Sequence, residues 1–287
     1  KLQASGWQDR VKDKCQKFVH ENSNDIDKVT VDDMAEEVTP FARSSVPEDI
    51  KAEIMEDREE EPESFEASKL GRKDHWDSVY DREINTFRET GDIGEVWFGE
   101  DTAAKMVTWV CNNIEDTEAR ILDVGCGNGH LLLELAEDGY TNLTGTDYSP
   151  QAIELAKGIA DSRGLGDTIT FVEQDFLNPT EVARIAGDDR FDVVLDKGTY
   201  DAICLKPKDG GADVDQKAID TYPVSVVGSL KDEGVFLITS CNWTEDELVA
   251  RFATHLECVG RVKHRSFKFG GAVGQTVATV AFKKRSL

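Results

Sequence analysis

Positive charge is scarce in this chain. Its 287 residues carry 33 lysines and arginines against 57 aspartates and glutamates, a formal net charge of −24. A surface with that balance repels nucleic-acid phosphate unless a local basic patch overrides it. The sequence offers only the short KKR run at 283–285. Long apolar runs are missing too: none reaches the roughly 18 residues that cross a bilayer. The stretch KLQASGWQDRVKDKCQ holds no signal-peptide apolar core. Cysteines are present but unpaired in pattern. Cys15, Cys111, Cys126, Cys204, Cys241 and Cys258 form no C-x-x-C, and none stands at zinc spacing from a histidine. Reduced, mostly buried thiols and no bound metal are the expectation. The abundant acid suits either simple solubility or a basic protein partner.

Composition changes sharply at EDREEEPESFEA, residues 56–67. This run is acidic and has no hydrophobic period, so it reads as a solvated linker. Residues 1–55 upstream read as short helices. Trp7, Val11, Cys15, Phe18 and Val19 fall at helical spacing, Thr30-x-x-Asp33 resembles a capping box, and Pro40 ends that helix. Segments this short bury little surface alone and call for a partner. From 68 to 287 the pattern becomes strand–helix alternation. Strands are expected at 119–125, 141–147, 168–175, 191–198 and 234–241, with helices between them, which predicts an α/β Rossmann-like parallel sheet. Two last strands, VKHRSFKF (262–269) and TVATVAF (276–282), are separated by GGAVG and should pair as an antiparallel hairpin. Five parallel strands and such a hairpin, seven in all, are the pattern of class I methyltransferases.

The motif with most chemical content is ILDVGCGNGHLLLELA, residues 121–136. An apolar strand carries Asp123 near its end, and a glycine-rich turn leads into a helix. Gly125 and Gly127 allow the tight turn and the approach of a ligand to backbone amides around Cys126, while Gly129 lets the helix pack close. The D-x-G-x-G-x-G spacing departs from the G-x-G-x-x-G of dinucleotide enzymes. It favours S-adenosylmethionine, with Asp123 meeting the cofactor's amino group or ordering the loop. Asp147 at the second strand tip can accept both ribose hydroxyls. Tyr148 can cover the adenine, and Ser149-Pro150 caps the next helix. In EQDF, Asp175 can accept the adenine amino group beside the Phe176 amide.

The acceptor side is expected at LDKGTYDAICLKP, residues 195–207. Methyl transfer to a lysine needs a neutral amine, although the free group has a pKa of about 10.4. Asp196 is the candidate to hold that ammonium and also to face the cofactor. The alternative for Asp196 is a bond to a loop amide. Tyr200 is the candidate aromatic wall, and Asp201 a cap for the next helix. Asn242 and Trp243, in CNWTEDEL, are candidates for the pocket lining, with Thr244 and Glu247 forming a capping box. In GDIGEVWFGED, Trp97 and Phe98 form either a lid, with Glu100 near the methionyl end, or a core plug. HWDSVYDREINTF reads as a helix with Trp76, Val79, Tyr80, Ile84 and Phe87 in the core.

Residues 68–285 closely resemble the elongation factor 1-alpha lysine methyltransferases of the methyltransferase-like 10 type. The resemblance rests on KLGRKDHWDSVYDREINTF, GDIGEVWFGED, the glycine loop, NLTGTDYSPQAIELA, LDKGTYDAI and FLITSCNWTEDEL. It implies S-adenosylmethionine-dependent methylation of a lysine on elongation factor 1-alpha, and a cytoplasmic site. The chain departs from the family at Cys126 and in the longer segment KPKDGGADVDQKAIDTYPVSV after the fourth strand. Residues 1–55 resemble the C-terminal part of the enhancer-of-yellow-2 family, through GWQDRVKDKC and VTVDDMAEEVTPFARSSVPEDIK. Those small helical proteins belong to a transcription coactivator and a nuclear mRNA-export complex, and fold around a partner's helix. That resemblance implies a helix partner, some nuclear presence, and an alternative role as an adaptor. The missing Asn-Pro-Pro-Tyr at strand four, with the net charge, argues against a nucleic-acid methyltransferase.

Overall fold

The computed structural model describes residues 67–269 and 272–285. The expectations for residues 1–55 and for the linker up to residue 66 lie outside the described residues. Two helices, α1 (Lys73–Thr90) and α2 (Glu100–Asn113), precede the first strand. Alternation then runs β1 (Ile121–Val124), α3 (His130–Glu137), β2 (Leu143–Asp147), α4 (Pro150–Ser162), β3 (Ile169–Glu173), α5 (Pro179–Ala186) and β4 (Phe191–Lys197). It continues with α6 (Thr199–Cys204), α7 (Gln216–Ser229), β5 (Leu230–Ser240), α8 (Glu245–Phe252), β6 (Leu256–Val262), β7 (Ser266–Phe269), β8 (Ala272–Gln275) and β9 (Ala278–Lys284). The long segment after β4 supplies α7 and so serves as the crossover to β5.

The main sheet has seven strands in the order β3-β2-β1-β4-β5-β9-β6. The first five run parallel, and β9 pairs antiparallel with both β5 and β6. One expectation is corrected here. The antiparallel partner of β9 is Leu256–Val262, while part of the expected strand at 262–269 joins a separate ribbon, β7–β8. The segment LECVGRV alternates between buried and solvated positions along an edge strand, so its inward residues are too few and too polar in context to stand out.

Neighbouring residues on the central strands point to opposite faces, and both faces are covered. Ile121, Val193 and Leu237 pack on one side with Val110 of α2, Leu132 of α3 and Ala156 of α4. Leu122, Val194 and Phe236 pack on the other with Val182 of α5, Tyr222 of α7 and Phe252 of α8. Strands buried on both faces read as continuous apolar runs, as ILDV and FDVVL do. Two caps match the sequence: Ser149 accepts from the Ala152 amide with Pro150 in the first turn, and Thr244 and Glu247 form a reciprocal capping box.

Phe252 sits among Tyr200, Phe236 and Phe282 with ring centroids at 5.3, 5.3 and 5.4 Å. Replacing it by alanine is expected to cost about 3–5 kcal/mol in urea denaturation. A loss under about 1 kcal/mol, ordinary for an unremarkable position, would contradict this packing.

Candidate active site

At the carboxyl edge of the sheet the chain leaves β1 through a turn of three left-handed glycines. Gly125, Gly127 and Gly129 have φ of 64°, 53° and 78°. A Cβ on Gly125 would stand 2.1 Å from Thr199 Oγ1, and one on Gly127 2.7 Å from the Tyr80 hydroxyl. Neither conformation nor space admits a side chain there. Asp147, the last residue of β2, reaches across to this turn. Its carboxylate accepts from the Gly127 amide at 3.1 Å and from the Ser149 amide at 2.9 Å. Complete burial pushes its pKa up to about 6, with those two amides pulling the other way.

Above this edge lies a cavity of about 350 Å³. Gly125, Cys126, Gly127, Asp147, Tyr148, Asp175 and Phe176 all line it, as does Trp97. These expected cofactor residues therefore converge. Opposite them is a wall that the sequence reading assigned to the core. Trp76, Val79 and Tyr80 of α1 face the cavity, together with Glu83. Tyr80 also packs against the core, and the far part of the helix joins it through Ile84 and the partly buried Phe87. An apolar stripe marks which face of a helix avoids water, but a cleft and a core give the same stripe. Trp97 meets Trp76 edge-on at 4.8 Å. The loop that carries it is tied down twice. Asn128 Nδ2 donates to the Ile93 and Glu95 carbonyls at 3.1 and 3.4 Å, and Lys197 Nζ donates to the Trp97 carbonyl at 3.0 Å. Phe98 does not line the cavity; its ring lies 2.9 Å from where a Gly198 Cβ would stand.

Other expected site residues are not brought to the cavity. Asp123 is buried outside its lining, where burial pushes its carboxyl up and the Lys197 ammonium opposes the shift. Asp196 is 0 % exposed, and its carboxylate accepts from the Thr199 amide (2.8 Å), the Tyr200 amide (2.9 Å) and the Tyr222 hydroxyl. Burial pushes it up to about 7 while these donors hold it down. Its role as an ammonium holder is corrected to that of a lock on the turn into α6. Tyr200 is no pocket wall either: it is 1 % exposed and packs 4.9 Å from the Tyr222 ring. Trp243 is buried in the same core, with the Arg251 guanidinium 3.4 Å from its ring centroid. Asn242 lies in the turn after β5, where its amide donates to Ser240 Oγ. Asp201 accepts from Ser240 and the Cys241 amide rather than capping a helix. Glu100 is exposed at the start of α2, away from the cavity. For Asp196, Tyr200 and Asp201 a partner distant in sequence, Tyr222 or the turn after β5, claims a group that local spacing had left free.

Several residues of the site escaped the sequence reading. Asn128 stands inside the glycine turn and Gln174 directly before Asp175, so position alone was a signal for both. Thr146 beside Asp147 and Lys197 beside Asp196 carried the same signal, and Glu83 carried none. Thr146 Oγ1 and both polar ends of the Gln174 amide are buried at the cavity without a hydrogen-bond partner. Leaving such groups unpaired costs about 1–3 kcal/mol each, so a bound ligand or ordered water that pairs them is favoured in the cavity. Its size falls within the range of small-molecule sites. A carboxylate acceptor, backbone amides and aromatic walls fit an adenosyl group bearing an amino acid. Among the described residues no cluster of side chains is suited to a metal ion.

Comparison with known proteins agrees with this edge. A family model described as a methyltransferase domain matches residues 115–278. EEF1A lysine methyltransferase 2 of Mus musculus is 43 % identical over 223 residues, 78 % of this chain and 87 % of its own length. The chain belongs to the EEF1A lysine methyltransferase 2 family. A protein-lysine N-methyltransferase of Schizosaccharomyces pombe is 40 % identical over 236 residues, 75 % of this chain and 94 % of its own. The magnesium protoporphyrin IX methyltransferase of Synechocystis, solved with bound S-adenosylmethionine, superposes with a TM-score of 0.53 at 15 % identity, covering 77 % of this chain and 99 % of its own. At that identity it shows the shared fold. A second model, transcription factor e(y)2, matches residues 1–59.

Tyr222→Phe removes one donor from the buried Asp196 carboxylate. It is expected to lower stability by about 1–3 kcal/mol in chemical denaturation. Unchanged stability would contradict the lock.

Proposed function

We propose that this protein transfers methyl groups from S-adenosylmethionine to the ε-amine of a lysine on elongation factor 1-alpha. The observation that carries the reading is the buried Asp147 carboxylate, tied to the glycine turn and opening on the cavity, in a chain of this family. When bound, the cofactor supplies a methyl carbon already activated by its sulfonium. Asp147 accepts the ribose hydroxyls, Tyr148 flanks the adenine, and Asp175 with the Phe176 amide meets its polar edge. The glycine turn lets the backbone approach the methionyl part. Trp76 and Trp97 offer aromatic faces that attract the substrate's ammonium group and so position it, and they help to exclude water; the amine attacks the methyl carbon in line once it has released its proton to solvent. Asp196, sealed by its three donors, leaves this task to the walls of the cavity.

Residues 1–59, which match the e(y)2 model, support a second element of the proposal: a docking segment for the helix of a protein partner. A cytoplasmic location, shared with the nucleus through that segment, belongs to the same reading. Pull-down with a coactivator-subunit helix and imaging of a tagged chain test these two points; no capture, or exclusion from the cytoplasm, would retire them.

Incubation with labelled cofactor and elongation factor 1-alpha should yield a methylated lysine by mass spectrometry, and its absence would retire the substrate. Asp147→Ala should weaken binding of S-adenosylhomocysteine by about 1.5–3 kcal/mol in calorimetry, the range for hydrogen bonds to a charged group. The pH dependence has a definite sign. Protonated Asp147 is a poorer acceptor, so affinity should be level at neutral pH and fall as pH drops through about 6. Asp147→Asn should abolish that dependence, and an unchanged pH profile would mean that another group titrates.

A further inference from the structure

We propose that the side-chain amide of Gln174 reads the adenine of the cofactor through its 6-amino group and N7. The inference rests on the cofactor reading above and assigns a contact that neither Asp175 nor Phe176 supplies.

Gln174 follows the last residue of β3, and its backbone amide donates to the Asp147 carbonyl at 2.8 Å. That bond fixes it to the tip of β2, beside the carboxylate assigned to the ribose. Gln174 is 2 % exposed, and it lines the cavity together with Asp147, Tyr148, Asp175 and Phe176. Neither its Oε1 nor its Nε2 has a partner. A glutamine held this deep with both ends unpaired is costly, since each group has given up water and gained nothing. An ordered water could satisfy it in a purely structural role, but such a role would be indifferent to the atoms of the base.

The chemistry of the two groups is matched. Adenine presents, side by side at its N6/N7 edge, a donor and an acceptor. A primary carboxamide presents an acceptor and a donor at the same spacing, and the pair forms two hydrogen bonds. The 6-amino group has two hydrogens. Gln174 Oε1 takes the one on the N7 side, which leaves the other for Asp175 and leaves N1 for the Phe176 amide. A base with oxygen at position 6, such as guanine, offers two acceptors on that edge. Gln174 has a single donor group there, so its Oε1 would stay buried and unpaired. Gln174 is thus a specificity residue for the base.

The test is calorimetric binding by the full chain. The ligands are S-adenosylhomocysteine, its 7-deaza analogue and its analogue lacking the 6-amino group. The wild-type protein should bind each analogue about 10-fold or more weakly, the discrimination expected of a bidentate pair. Gln174→Leu should weaken S-adenosylhomocysteine by a similar factor and no longer distinguish it from the 7-deaza analogue. Gln174→Glu keeps an acceptor for the amino group but turns a second acceptor towards N7, so it should prefer the 7-deaza analogue. Equal affinity of the wild-type protein for all three ligands overturns the proposal without any variant. Undiminished discrimination by Gln174→Leu overturns it as well. Both outcomes leave the cofactor assignment standing, whereas a wild-type protein that binds none of the three overturns that assignment too.

Discussion

A single buried carboxylate joins two strand tips at the carboxyl edge of this sheet. Asp147 ends β2 and accepts from Gly127, in the middle of the glycine turn that leaves β1. On the other side of the same turn, Thr199 donates its hydroxyl to the Val124 carbonyl at 2.7 Å and occupies the space a Gly125 side chain would need. The turn is therefore held from both sides, by the tip of β2 and by the start of α6 just after β4. A glycine turn has the largest conformational entropy to lose on ordering, and these two contacts are what make it a fixed surface. The placement of Cys126, Gly127 and Asn128 along the cavity follows from that, and so does the anchoring of the loop bearing Trp97 through Asn128.

The fold divides the aspartates that stand at or near the strand tips. Asp147 and Asp175 line the cavity, whereas Asp123, Asp196 and Asp201 lie outside its lining. Asp196 and Asp201 hold the turns after β4 and β5 through amides and hydroxyls. A buried carboxylate with several donors is a rigid fastener, because breaking any one bond exposes its desolvation cost. Asp147 is both fastener and candidate ligand group, so its environment is where rigidity and binding meet.

Much of this was legible in the amino-acid order. Continuous apolar strands alternating with amphipathic helices specified the parallel sheet, and the spacing of Asp123, Gly125, Gly127 and Gly129 specified the turn. Ser149-Pro150 and Thr244 with Glu247 marked helix starts correctly, because capping is a local interaction. Failures came where a partner is remote. Asp196 looked available until α7 brought in Tyr222, 26 residues away. Tyr200 and Trp243 looked like pocket aromatics because both follow strand tips, yet their rings turn into the core beneath. Trp76 and Tyr80 show the converse: residues read as core alone also form a wall of the cavity. Gln174 has a polar side chain whose burial only the folded sheet reveals.

The direct check is the carboxyl resonance of Asp147, followed by NMR through a pH titration with and without S-adenosylhomocysteine. In the free protein it should titrate near 6. Bound ribose hydroxyls donate to the charged form, so the ligand should move that titration to lower pH. A titration that does not move on binding would contradict Asp147 as the anchor of the nucleoside.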